Sequence, residues 1–220
     1  MDETWLFVLA RDPGRAKTRL APFLSRAARA DLAAAMLDDV IAATRGVAFA
    51  RRVIVTESAA VRKVARAAGL ETLDVPPSGT NGAARAAVQA ARDGVRALLL
   101  VADLPLLTGA DLDALLATPA PVVVAPDRHR RGTNALVLMP ASVIAPGFGR
   151  DSYRVHRERA ARAKVKLRVV RARGLSTDID SPDDLRVATR SSALGRRTRA
   201  LLRTAAFRSA LAQGVRRRDA

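Results

Sequence analysis

Apolar and polar positions fall in blocks of two lengths along this chain. The short blocks are nearly continuous apolar runs, beginning with Trp5 to Ala10. Runs of that kind are expected of strands buried on both faces. Val53–Thr56, Glu71–Val75, Val95–Ala102, Pro121–Ala125, Thr133–Met139 and Leu167–Val170 read as further strands. The long blocks carry apolar residues at helical spacing. Leu32, Met36, Leu37, Val40 and Ile41 predict a helix from about Ala27 to Thr44. Other helices are predicted from a Ser58 cap to Ala68, from Ala83 to Arg92, after a Thr108 cap, and from about Ser152 to Ala163. Ser181-Pro182-Asp183-Asp184 is a strong helix start, with a serine cap, a first-turn proline and acids at the positive end of the dipole. Pro76 to Gly82 is a dense turn cluster. Strands alternating with helices argue a layered α/β sheet.

A chain of 220 residues that is 49% apolar has enough material for one packed domain, which excludes a disordered body. No apolar run approaches the ~20 residues a membrane-spanning helix needs. The acidic start, Met1-Asp2-Glu3, does not suit a signal peptide. Without cysteine, disulfides and thiolate metal sites are excluded. These features fit a cytoplasmic protein.

Charge changes the picture more. The net charge is +17, and nine of the 38 basic residues, against one acid, lie in residues 190–220. This divides the chain near Thr189 into a domain of residues 1–189 and a basic tail of residues 190–220. Leu194, Leu201, Leu202, Leu211 and Val215 in the tail suit one or two helices. A basic body suggests anionic substrates; a basic tail suggests solubility, contacts within a homo-oligomer, or polyanion binding. Aromatic residues make up only 3%, too few for a base-stacking platform, so nucleic acid is not the expected partner.

Four segments could carry chemistry, because ligands of open α/β sheets sit beyond the carboxyl ends of the strands. Arg11, Gly14, Arg15, Lys17 and Arg19 form a cationic loop after the first strand, suited to phosphate oxygens but not a P-loop. Asp103 follows the most apolar strand, where a carboxylate can hold Mg²⁺ bridging substrate phosphates. Asp178 and Asp180 are two apart, which puts them on one face of an extended segment. With Asp103 they would make a carboxylate cluster; helix capping is the competing explanation. Gly132-Thr133-Asn134 and Phe148-Gly149-Arg150-Asp151-Ser152 combine close-approach glycines with a helix start, which on composition alone is an ordinary loop and cap. His129 and His156 are the only histidines and read as surface or core residues.

Together these segments resemble the phospholactate guanylyltransferase family of coenzyme F-420 biosynthesis. Leu9 to Leu20, Gly79-Thr80-Asn81, Ala102 to Leu106, Gly132 to Leu136, Phe148 to Ser152 and Asp178 to Leu185 carry the resemblance, which spans residues 5–188. The Lys-Thr-Arg-Leu loop is shared with a related glycosyltransferase-like family; the Gly-Thr-Asn-Ala-Leu and Phe-Gly-x-x-Ser segments separate the two. The resemblance implies a Rossmann-like, three-layer mixed sheet of the glycosyltransferase-A-like nucleotidyltransferase fold. It implies GTP and a small phosphorylated carboxylic acid as substrates, with Mg²⁺ as cofactor. Carried over by position, Asp103, Asp178 and Asp180 would bind metal. Arg11, Gly14, Lys17, Arg19, Gly79, Asn81 and Asp103 would bind nucleotide, with Lys17 and Asp103 catalytic. Thr133, Asn134, Gly149 and Ser152 would bind the acceptor. Arg11 stands where family members often have lysine, and its planar fork meets phosphate differently.

Family members use 2-phospho-L-lactate, phosphoenolpyruvate or 3-phosphoglycerate, and the sequence does not rank these acceptors. Alternative readings are another nucleotidyltransferase or glycosyltransferase of this fold, with a molybdopterin-type or sugar-phosphate acceptor, and a basic polyanion-binding protein.

Overall fold

The computed structural model of the protein describes residues 3–92, 94–209 and 212. Its centre is a seven-stranded sheet. The strands are β1 (Thr4–Leu9), β2 (Arg51–Thr56), β3 (Glu71–Asp74), β4 (Arg96–Val101), β5 (Val122–Pro126), β6 (Thr133–Leu138) and β7 (Leu167–Val169), in the order β3-β2-β1-β4-β6-β5-β7. β6 runs antiparallel to both its neighbours, β4 and β5, while the remaining pairs are parallel. The seven strands lie where the apolar runs place them, with ends shifted by a residue or two.

Helices cover both faces. α1 (Arg26–Thr44), α2 (Ala59–Ala67) and α4 (Gly109–Leu116) pack on one; α3 (Gly79–Ala90) and α5 (Ser152–Arg162) pack on the other. The short α6 (Arg173–Ser176) was not expected, and it brings Leu175 into the first face. β1 shows why its run is continuous: Leu6, Val8 and Ala10 enter the first core, while Trp5, Phe7 and Leu9 enter the second. Alternating side chains of a strand point to opposite faces, so a strand between two helical layers needs apolar residues at every position.

Local signals behave as their chemistry predicts, with two departures. Ser25 caps α1, accepting from Ala28 N, and Thr108 with Asp111 forms a capping box on α4. Ser181 with Asp184 does the same for α7 (Pro182–Thr189), with proline in its first turn. Ser58 precedes α2, but its side chain makes no cap bond; the hydroxyl donates to Asp12 Oδ2 at 3.0 Å instead. The turn cluster ends sooner than its composition suggests. Gly79, Thr80 and Asn81 form the first turn of α3, and Gly79 reverses the chain there at a φ of 67°, which glycine adopts freely.

A third apolar cluster lies beside α1. It joins Leu20, Phe23 and Leu24 to Leu32, Met36, Leu106, Ile179 and Leu185, and to Leu194 and Phe207 from beyond Thr189. α8 (Arg196–Arg203) packs along α1 and begins on a buried carboxylate: Asp39 accepts from Arg197 N at 2.9 Å and Thr198 N at 2.8 Å. The expected apolar positions Leu211 and Val215 lie outside the described residues. Among the described residues, no helix is long and apolar enough to cross a membrane.

Candidate active site

One cavity of about 680 Å³ opens at the carboxyl ends of β1 and β4, well within the size range of small-ligand sites. Because β6 is reversed, its first residues, Thr133 and Asn134, reach the same edge of the sheet. Arg11, Lys17, Arg19, Asp103, Thr133, Asn134, Gly149, Asp178 and Asp180 all line it.

Lys17 is the hub. It stands between two short 3-10 turns, Pro13–Arg15 and Thr18–Leu20, with a φ of 55°. A left-handed lysine is disfavoured, so the surroundings must hold it there. Asp12 does part of this, accepting from Gly14 N at 2.7 Å. Arg26 and Arg29 donate to the carbonyls of Gly14 and Ala16 at 3.1 and 3.0 Å. The Lys17 ammonium, only 4% exposed, donates to Asp103 Oδ2 and, at 3.1 Å, to Asp180 Oδ1. Burial disfavours its charge, yet the two carboxylates overcome this and raise its pKa well above the ordinary lysine value. Arg19, exposed at the rim, donates to Asp180 Oδ2 at 3.2 Å.

Asp178 is the carboxylate left without a cation of its own. The segment Asp178-Ile179-Asp180 alternates as a strand would, with both acids on the cavity and Ile179 fully buried in the third cluster. Asn134 Nδ2 donates to Leu175 O at 3.0 Å and to Asp178 Oδ1 at 3.3 Å, so it orients the acid. Burial first, then the charges of Asp103 and Asp180, push the Asp178 carboxyl up to about 7. Among the described residues, no three acidic or imidazole side chains lie close enough to enclose a metal ion by themselves. The donors nevertheless suit a hard divalent cation. All are oxygens, Asp178 is uncompensated, and Mg²⁺ is commonly held by one or two carboxylates with substrate phosphates completing its shell.

The far side of the cavity is built for anions. Arg131 and Arg150 line it, Arg11 lines the cavity from the segment that carries Lys17, and none of the three has a carboxylate partner among the described residues. Asp127 shapes the turn before β6, accepting from the N–H groups of Arg131 and Gly132 at 2.8 Å each. Thr133 is buried with its hydroxyl against His156. Ser152, in the first turn of α5, is buried with a hydroxyl that has no partner.

Four expected site residues lie outside the cavity lining. Gly14, Gly79, Asn81 and Ser152 do not line the cavity, although Thr80 does. The Gly14 N–H is already donated to Asp12. The Asn81 amide grips the backbone of Phe148, donating to its carbonyl at 2.7 Å and accepting from its N–H at 2.5 Å. Both ends of the amide are thus engaged with the loop before α5. Sequence reasoning passed over Arg131, Asp127 and His156. The Ser152–His156 spacing, one helical turn, was the one available sign that a histidine shared a face with a site residue.

Comparison with known proteins gives relatives over most of the chain. A model of the family described as "Guanylyl transferase CofC like" matches residues 8–219. A phosphoenolpyruvate guanylyltransferase of Conexibacter woesei is 39% identical over 178 residues, covering 77% of this chain and 80% of that protein. A 3-phospho-D-glycerate guanylyltransferase of Phenylobacterium zucineum is 35% identical over 196 residues, covering 85% of this chain and 89% of that one. Among solved structures, a protein of Desulfovibrio desulfuricans G20 described as a nucleotide-diphospho-sugar transferase superposes with a TM-score of 0.73. That pair is 20% identical and spans 97% of this chain and 99% of the other, a likeness of fold. With the carboxylate–lysine hub and the anion-lined wall at one sheet edge, and with relatives and a family model covering most of its length, the chain belongs to the guanylyl transferase CofC-like family.

Proposed function

We propose that this protein transfers GMP from GTP to a phosphorylated three-carbon acid and releases pyrophosphate, the step the family performs in coenzyme F-420 biosynthesis. The observation that carries this reading is the pairing of two unlike walls in one cavity. One wall holds Lys17 among Asp103, Asp178 and Asp180; the other presents Thr133, Gly149, Arg131 and Arg150. The first suits a triphosphate with a divalent cation, and the second suits a small dianion.

The acceptor's phosphate oxygen attacks the α-phosphorus of GTP, and the bond from that phosphorus to the bridging oxygen of pyrophosphate breaks. Both reactants are anions, so alignment and charge neutralisation dominate the catalysis. Lys17 stays protonated throughout and meets the phosphates as a fixed charge. Arg19 and Arg11 flank it on the side where pyrophosphate departs. Asp103 and Asp178 would hold a divalent cation, with Asp180 beside them; Mg²⁺ in that position neutralises phosphate charge and polarises the α-phosphate. No general base is required, because the acceptor phosphate is already ionised near neutral pH.

Phosphoenolpyruvate is the first acceptor to test, since relatives named for it match at 38–40% identity. The assay is pyrophosphate release with Mg²⁺, pairing GTP, ATP and CTP with phosphoenolpyruvate, 3-phosphoglycerate and 2-phospho-L-lactate. Release that requires GTP and one acid establishes the reaction. No release with any pair sinks it and turns attention to sugar-phosphate or molybdopterin-type acceptors.

A further inference from the structure

We infer that His156 is the positioning residue of the acceptor wall: it holds the Thr133 hydroxyl as a hydrogen-bond donor toward the bound acid and ties it to the loop that carries Gly149. This rests on the reading of that wall as the acceptor site. The protons around the ring can be counted one by one. Gly147 N–H donates to His156 Nε2 at 3.0 Å. A ring nitrogen that accepts carries no proton, so the single proton of the neutral imidazole sits on Nδ1. Nδ1 lies 3.0 Å from Thr133 Oγ1, and therefore donates to it. The hydroxyl's own hydrogen then has no acceptor among the described residues, and Thr133 lines the cavity.

The other protonation states fail. The opposite tautomer sets N–H against the Gly147 N–H. The imidazolium does the same and adds a buried charge beside Arg159. Burial, with that arginine second, accordingly holds the ring down to about 4, so it is neutral at physiological pH. A threonine hydroxyl can ordinarily turn either way, as donor or acceptor. His156 removes the choice. Carboxylate and ionised phosphate oxygens only accept, so a hydroxyl fixed as a donor favours them over a hydroxyl or amide at the same place.

The same ring also fixes the loop. Arg159 donates to Ala145 O at 2.8 Å, Asn81 clamps Phe148, and the Phe148 ring meets His156 edge-on at 5.8 Å. Gly147 lies close under Arg159, where a Cβ would come within 2.6 Å of Arg159 Nη1 and the guanidinium would have to shift. His156 touches both halves, Thr133 on β6 and Gly147 in the loop before α5. A merely packed histidine would need neither bond.

The test has three readouts. First, the ¹⁵N shifts of His156 in the wild-type protein near pH 7, alone and with phosphoenolpyruvate, report the tautomer directly. Protonated Nδ1 with bare Nε2 is expected; the reverse tautomer or an imidazolium overturns the proposal, whatever the enzyme proves to catalyse. Second, His156→Asn and Thr133→Val should each raise the acceptor KM by about tenfold, the loss of one hydrogen bond to an anion, while the GTP KM stays within about twofold. Third, the double variant should lose clearly less than the product of the two single losses, because both remove the same donor. Additive effects, or equal losses for both substrates, refute the positioning role. If His156→Asn does not fold, Thr133→Val with the wild-type ¹⁵N spectrum still decides. If wild-type protein shows no guanylyl transfer, the functional reading falls separately. The three variants are then compared by direct phosphoenolpyruvate binding, where the same non-additivity is expected and its absence overturns the proposal.

Discussion

Replacing Asp39 by alanine should unseat α8 and weaken a site it never touches. Asp39 is 7% exposed, and its two oxygens accept from the Arg197 and Thr198 N–H groups at the start of that helix. A helix N-terminus carries orphan donors and a positive dipole end, both of which a carboxylate satisfies. Losing the carboxylate affects the two N–H groups unequally. Arg197 is exposed and can recruit water, so its bond is worth about 1 kcal/mol, as for an ordinary cap. Thr198 is fully buried, and leaving its N–H without a partner costs about 2 kcal/mol. The expected loss is about 3 kcal/mol. Asp39→Asn keeps an acceptor oxygen and should lose only about 1 kcal/mol. Urea unfolding of the three proteins, at matched pH and salt, measures this. The consequence for function runs through the third cluster, where Leu194 and Phe207 share a core with Leu20, Leu106 and Ile179. Those three neighbour Arg19, the Asp103 turn and the two acids of the last loop, so the GTP KM should rise several-fold. Stability within about 0.5 kcal/mol of wild type, the range of an ordinary surface change, refutes the reasoning. Unchanged kinetics with the stability lost would show that residues beyond Thr189 serve the fold alone.

Asp103→Ala should lower turnover by several orders of magnitude while leaving a folded protein, since its carboxylate meets Lys17 at the cavity and not the core; near-normal turnover excludes it from the hub. Asn81→Ala should raise the acceptor KM more than the GTP KM, because its amide holds Phe148 beside Gly149 rather than a base; the opposite split would restore Asn81 to the nucleotide side. His156 supplies a pH test. Its folded pKa, about 4, lies below the ordinary 6.5, so its contribution is present above pH 6.5 and is lost as pH falls toward 4. The size is up to about 3 kcal/mol. Urea unfolding at pH 7.5 and pH 4.5 should show the wild type losing more than His156→Asn, and parallel losses would remove His156 as the cause. Mg²⁺ should raise the melting temperature of the wild type and much less that of Asp178→Asn, by mass action on the folded state; equal shifts would place the ion elsewhere.

The chemistry of single segments was legible along the chain. Uninterrupted apolar runs declared strands with two buried faces, and the capping boxes at Thr108 and Ser181 follow from their own side chains. The alternation in Asp178-Ile179-Asp180 offered a common face for the two acids beside the rival reading of helix capping, and the structure has both acids on the cavity. Partnership was not legible. Lys17, Asp103 and Asp180 lie 86 and 163 residues apart in pairs and meet only because β1, β4 and the last loop end at one sheet edge. Asn81 is expected to bind nucleotide by resemblance, but its bonds to Phe148, 67 residues away, were not visible along the chain. His156 looked like filler until Gly147 and Thr133 assigned its proton. The division near Thr189 was drawn from charge, and among the described residues beyond it Leu194 and Phe207 share the third cluster with α1. Most of the elements, the caps at Thr108 and Ser181 and the stock of charged groups can be read along the chain, since each depends on neighbours within a few residues. Which groups already have partners and which face the cavity free depends on the folded arrangement, because hydrogen bonds and burial are exclusive and their partners come from distant parts of the chain.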